Sequence, residues 1–243
     1  MDEGFKPSIA AKELVTSAKR GTGNAIITTN WDTSIERYLS NGGDSYSYAL
    51  RANLINGALS QNNGVPLLKL HGSSNWMYCD GCRRIYVGLP GEGKTALHSW
   101  TFLRAEDFEA LGSHLLKNDF QLQRDHLTCA FCGVELSARV ATFSFAKALG
   151  FFQFQAVWDR ALDALRRARR WIFIGYSLPQ ADFEIRALLK TAQLADAIQG
   201  RKEIIAIPGK NELARENFER FFGTNVRVFR SYLDTWWKKQ KTV

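Results

Sequence analysis

The sequence predicts an α/β fold: a doubly wound parallel sheet carrying a small inserted lobe. Three observations lead there. Short apolar segments at Asn24–Thr28, Leu67–Leu70, Trp171–Ile174, Glu203–Ile207 and Val226–Phe229 are interleaved with helical patterns, and strands alternating with helices build parallel sheets. Several of these segments end in small or reactive polar residues, which is how open α/β sheets form ligand sites at strand carboxyl ends. The four cysteines of the chain fall into two C-x-x-C pairs separated by 46 residues, which marks the lobe.

Taken in order, Pro7–Ala18 predicts a helix, with Ser8 as N-cap and Gly21 or Gly23 as the stop. Asn24–Thr28 is rich in β-branched residues and turns polar at once, the pattern of a buried parallel strand. Asp32 then caps a helix that carries Ile35, Tyr38 and Leu39 on one face. Leu67–Leu70 is the next strand. Asn75–Tyr78 and Arg83–Val87 flank the first cysteine pair as a hairpin, and one helix is expected near Ala105–Lys117. Phe154–Arg167 sets Val157, Ala161, Leu162 and Leu165 on a helical stripe. Trp171–Ile174 (strand), Asp182–Ala195 (helix), Glu203–Ile207 (strand), Asn211–Phe222 (helix), Val226–Phe229 (strand) and Tyr232–Lys239 (helix) complete the alternation.

A length of 243 residues fits one α/β domain with an insertion, or two small domains. An apolar fraction of 45% with five prolines describes a packed chain, not a disordered one. No apolar run reaches the ~18 residues of a membrane span. The acidic start Met1-Asp2-Glu3-Gly4 leads into no apolar signal core, so a cytoplasmic protein with no membrane partner is expected. The net charge of +8 is local, concentrated at Arg166, Arg167, Arg169 and Arg170 and at Lys238, Lys239 and Lys241. Basic residues in a last helical turn complement the helix dipole, and tails are solvated. The same charge leaves nucleic acid open as a partner and suits phosphate groups.

Two C-x-x-C pairs, Cys79/Cys82 and Cys129/Cys132, let four thiolates close a tetrahedron around zinc, each pair forming a tight knuckle. Buried thiols or redox pairs are the alternatives. With four protein ligands no position remains for substrate, so such a zinc is structural. The run Gly88-Leu89-Pro90-Gly91-Glu92-Gly93-Lys94-Thr95 fits the phosphate-cradling G-x-x-x-x-G-K-[ST] pattern and follows a short strand. A working loop of that kind needs its own sheet and a second strand ending in a magnesium-binding Asp. The 46 residues between the cysteine pairs hold neither, so the segment reads as a surface loop.

The order of motifs resembles a sirtuin: Thr28-Thr29-Asn30-Trp31-Asp32, then Leu70-His71-Gly72-Ser73, the two cysteine pairs, and Gly175-Tyr176-Ser177-Leu178-Pro179-Gln180-Ala181-Asp182. The wording is most similar to the bacterial sirtuin-like domains of NAD-consuming defence proteins, and the likeness runs from about Ala25 to Phe229. It implies a Rossmann-like NAD-binding domain formed by 1–73 and 134–243, with 74–133 as the inserted zinc-ribbon lobe. It implies NAD as substrate, cleaved between nicotinamide and ribose by hydrolysis; a catalytically inactive binding module and a protein deacylase are the alternatives. Asn30 and Asp32 then line the nicotinamide pocket together with Thr29, which stands where sirtuins have a Gln. His71 matches the catalytic base, a role that suits an imidazole. Gly175 and Ser177 match the residues that touch the dinucleotide's phosphate and ribose. Read singly, Asp32 is also a helix cap, His71 a loop histidine and Gly175 a turn residue. Two family features are not matched. The Asn expected after the strand ending Ile207 comes only at Asn211, and the N-terminal strand with its Gly-Ala-Gly loop has no counterpart before Asn24, since Gly21-Thr22-Gly23 precedes a strand instead of following one. The resemblance also allows a fused or partner effector or sensor domain.

Overall fold

The structure, a computed structural model, describes residues 9–18, 24–41, 45–48, 50, 52–54, 64–87, 128–138, 152–194 and 202–241. The expected helix near Ala105–Lys117, the Gly88–Thr95 loop, Ser8, Gly21 and Gly23 lie outside the described residues. The chain runs α1 (Ile9–Ala18), β1 (Ile26–Thr28), α2 (Ser34–Asn41), β2 (Tyr46–Ser47), β3 (Ala52–Leu54), β4 (Val65–Lys69), β5 (Trp76–Cys79), β6 (Ile85–Val87) and β7 (Leu136–Ala138). It continues through α3 (Phe152–Arg167), β8 (Arg170–Ile174), α4 (Phe183–Leu194), β9 (Glu203–Ile207), α5 (Glu212–Phe222), β10 (Val226–Val228) and α6 (Leu233–Lys241).

Among the described residues, two three-stranded sheets are all-parallel, ordered β1-β4-β2 and β10-β9-β8. The second is wound on both faces. On β9, Ile204 and Ala206 enter the main core with Trp171, Leu188 and Phe218 from β8, α4 and α5. Ile205 and Ile207 point the other way, onto Trp236 of α6. This side-to-side alternation is the period-2 pleat of a strand buried on both faces. Helix α3 ties the sheets together, since Val157, Ala161 and Leu165 share one apolar cluster with Leu68 and Leu70 of the first sheet segment and Trp171 of the second. At the chain's two ends, α1 meets α6 through the Trp237 indole, which donates to Glu13 at 2.6 Å.

The third sheet, β3-β6-β5-β7, is mixed: β5 is antiparallel to both β6 and β7, and β3 is parallel to β6. It draws in β3 and β7, short strands lying in sequence outside 74–133. Its two faces serve different cores. Trp76, Tyr78, Ile85 and Val87 pack toward Leu67 and Tyr48, whereas Met77, Cys79 and Tyr86 pack with Cys129 and Leu136 around the thiols.

Candidate functional site

Strands β1 and β4 run parallel in the register Thr28↔Lys69, and the Leu70 N–H donates to the Thr28 carbonyl at 3.0 Å. Residues 29–32 and 70–73 therefore leave the sheet side by side at its carboxyl edge. Each turn of the first loop is fixed. The Asn30 N–H donates to Thr28 Oγ1 at 3.0 Å, the Trp31 carbonyl accepts from the Ser74 N–H at 2.8 Å, and Asp32 Oδ1 accepts from the Ser34 N–H at 2.9 Å. Asp32 is thus a helix cap through one carboxylate oxygen, as its position before α2 predicts. Asn30 is exposed, while Thr29, Asp32 and His71 are half-buried. From the far side, the Trp158 indole of α3 donates to the Leu70 carbonyl at 3.2 Å and holds the strand end that carries His71.

Beneath these loops lies a buried polar network that the motif reading missed. Lys69 and Glu36 are both 0% exposed and form an ion pair at 2.8 Å. The Lys69 ammonium also donates to the Asp32 carbonyl. Glu36 Oε1 accepts from the Tyr48 hydroxyl at 2.8 Å, and the Asn75 amide donates to the Tyr48 oxygen at 3.1 Å. Burial pulls the Lys69 ammonium below the ordinary lysine range, and the neighbouring Glu36 carboxylate opposes the shift. Burial and the same carboxylate push the Tyr46 hydroxyl up to about 12. The sequence did carry a signal: Lys69 interrupts the apolar run Leu67-Leu68-Lys69-Leu70, and Glu36 sits among Ile35 and Leu39 on the inward side of α2. Charged residues are almost never fully buried unless paired.

The third loop follows β8. Gly175 takes φ 64°, a left-handed conformation that favours glycine, and its N–H donates to the Ile207 carbonyl at 3.1 Å. A side chain added there would meet nothing within 4 Å, so the backbone faces open space in that direction. The Ser177 carbonyl accepts from the Asn217 amide of α5 at 3.1 Å, and the Leu178 carbonyl accepts from Arg186 at 3.3 Å. The Tyr176 hydroxyl donates to Asp182; burial and that carboxylate raise its pKa far above the usual tyrosine range. Leu178 and Leu70 are members of one apolar cluster, so the loops after β4 and β8 rest on the same core. Asn211 is engaged otherwise: its side-chain oxygen accepts from the Ala214 N–H at 3.0 Å and caps α5.

The four cysteines converge. Their sulfurs all lie within 4.8 Å of one another, with Cys79–Cys132 at 3.2 Å and Cys82–Cys129 at 3.5 Å. A zinc–sulfur bond of ~2.3 Å in a tetrahedron implies sulfur–sulfur edges of ~3.8 Å, so the donor set fits a zinc ion. The two knuckles match each other. The Arg83 and Gly133 N–H groups donate to the Cys79 and Cys129 carbonyls, each at 2.9 Å, and both residues take positive φ, 61° and 72°. Burial alone would raise the Cys129 thiol, but hydrogen bonds from the Tyr86 hydroxyl and the backbone hold it down at about 6, the thiolate that a metal requires.

Compared with known proteins, the chain matches the SIR2-like domain family over residues 24–229. No curated protein sequence matches it. Among solved structures, one described as giving the structural basis for sirtuin substrate affinity aligns at 15% identity and TM-score 0.50, over 98% of this chain and 72% of its own. A Sir2 structure with a p53 peptide and NAD+ aligns at 15% identity and TM-score 0.49, over 98% and 70%. At such identity the likeness is one of fold. No helix among the described residues is long and apolar enough to cross a membrane.

Proposed function

The chain belongs to the SIR2-like domain family, and from that premise we propose that it binds NAD and hydrolyses the bond between nicotinamide and ribose. The observation that carries this reading is the Thr28↔Lys69 register, because it sets the Asn30–Asp32 loop beside His71. Cleavage breaks the bond from ribose C1′ to the nicotinamide nitrogen, and the electron pair leaves with neutral nicotinamide. Water forms the new C1′–O bond, and its proton passes to His71 as general base. Asn30 and the Asp32 oxygen not used by α2 hold the nicotinamide and ribose; Thr29 borders them. Gly175 and Ser177 receive the phosphates and ribose of the dinucleotide. A zinc ion on Cys79, Cys82, Cys129 and Cys132 would supply structure, with 74–133 as its lobe and the Rossmann-like domain around it. We place the protein in the cytoplasm, in an NAD-consuming defence role coupled to an effector or sensor domain.

The test uses the zinc-loaded chain, alone and with any upstream coding segment restored, and measures nicotinamide and ADP-ribose from NAD with and without an acetylated peptide. His71→Ala should lower turnover by roughly 10²–10⁴-fold, the range for losing a general base, and Asn30→Ala by at least as much. NAD cleavage that survives His71→Ala rules out the mechanism. Strict dependence on the acetylated peptide makes the enzyme a deacylase, and binding without cleavage makes it an inactive module.

A further inference from the structure

We infer that the buried Lys69–Glu36 pair is a positioning device for the nicotinamide end of the site, which holds the Asn30–Asp32 loop at a fixed setting relative to His71. This rests on the NAD-cleaving reading above. Lys69 is the last residue of β4, two positions before His71. Its backbone pairs with Thr28, the residue from which the other loop departs. Its side chain donates to the carbonyl of Asp32, inside that loop. One residue thus touches both arms of the site, by main chain on one side and by ammonium on the other. Glu36 completes the arrangement from α2, whose N-terminus Asp32 itself caps. Tyr48, with Asn75 behind it, fixes the carboxylate. Neither charge reaches solvent. Among the described residues, Glu36 Oε2 has no hydrogen-bond partner. Core polar groups that stabilise a fold are normally satisfied in full, and a buried ion pair is weak support for stability compared with apolar residues of the same volume. What the pair does provide is a directional link from strand end to loop carbonyl, which an apolar pair cannot make.

The experiment compares wild type with Lys69→Met/Glu36→Gln, in the zinc-loaded protein. The double variant removes both charges while keeping side-chain volume and the acceptor for Tyr48, so neither charge is left buried alone; Lys69→Met by itself leaves a bare carboxylate and is expected to fold poorly. Two readouts are taken from folded protein. Hydrogen exchange at the amides of residues 29–34 is expected to speed up at least tenfold, with β8–β10 unchanged. In NAD cleavage, kcat is expected to fall at least tenfold while KM moves less than about threefold, because misplacing a reacting group costs turnover and the Gly175–Ser177 loop is held by separate bonds. A folded double variant with unchanged exchange at 29–34 overturns the inference, as does an equal fall in activity through KM alone. Should wild type fail to cleave NAD, the functional proposal falls, and the exchange measurement still decides the positioning role.

Discussion

Leu178 holds φ 48° with its side chain fully buried, an uncommon combination for a branched apolar residue. Left-handed backbone costs an L-residue roughly 1–2 kcal/mol, whereas losing a buried leucine side chain costs roughly 2–5 kcal/mol. Packing wins, which is why leucine stays. The balance makes a test possible. At ordinary positions glycine is less stable than alanine by roughly 0.5–1 kcal/mol; here the relief of strain offsets that difference. Leu178→Ala and Leu178→Gly should both lose stability in urea unfolding, with the glycine variant no less stable than the alanine one. A glycine variant weaker by a full 1 kcal/mol would show that Leu178 carries no strain. At this scale the sequence singles out residues with distinctive chemistry, Asn30, Asp32 and His71, and the β1–β4 register sets their loops side by side. It was silent on Leu178, whose loop is held by the Tyr176–Asp182 bond and by Arg186 and Asn217, from two to thirty-nine residues away. Lys69 and Glu36 lay between these cases: their oddity is visible in the run of letters, but their pairing across 33 residues of chain needs the β1–β4 register.

Elements were legible in proportion to their length. Helices α3 to α6 and strands β8 and β9 fall within a few residues of their expected bounds, since each spans enough residues to show a period; the three-residue β10 was legible from its apolar letters between two helical patterns. Strands β2, β3 and β7 hold only two or three residues, too few for alternation to register, and they exist because β4, β5 and β6 offer edges to pair with. Asn211 illustrates a role settled by local geometry. Its carbonyl oxygen caps α5, so Asn211→Ala should cost ~1 kcal/mol in thermal or chemical unfolding; an unchanged midpoint would mean that Glu212 or water serves the same N–H. The knuckles behave differently, because their covalent spacing dictates their shape. Elemental analysis should find about one zinc per chain, and Cys129→Ala should unfold or aggregate the protein, since structural zinc supplies folding energy outright. A soluble, well-folded wild type without metal would remove the zinc assignment.

Across the whole molecule, the thiol cluster and the candidate site share a sheet. Along β5 and β6 the residues alternate strictly, Met77 and Tyr86 toward the cysteines, Trp76, Tyr78, Ile85 and Val87 toward Leu67 and Tyr48. Tyr48 stacks edge-on against Trp76 at 5.1 Å between ring centroids and donates to Glu36, the partner of Lys69. Loss of metal therefore has a path inward through packed side chains and hydrogen bonds. The second parallel sheet meets this path at Leu68 and Leu70, through the cluster it shares with α3, and is further held by its own aromatic packing of Trp171, Phe173, Phe218 and Phe222 and by Trp236 of α6 on its other face. Removing the metal with a chelator should consequently raise hydrogen exchange first at residues 76–79 and 85–87, next at 46–48 and 65–70, and last at 203–207 and 226–228. Local opening follows contiguous cooperative units of this kind. Turnover should fall along with protection at 65–70, although no cysteine is a catalytic residue in the proposed mechanism. Simultaneous loss of protection in all three sheets would instead mean that the molecule opens as one unit, and loss confined to 76–87 would mean that the shared sheet does not carry the effect to the loops around Asn30 and His71.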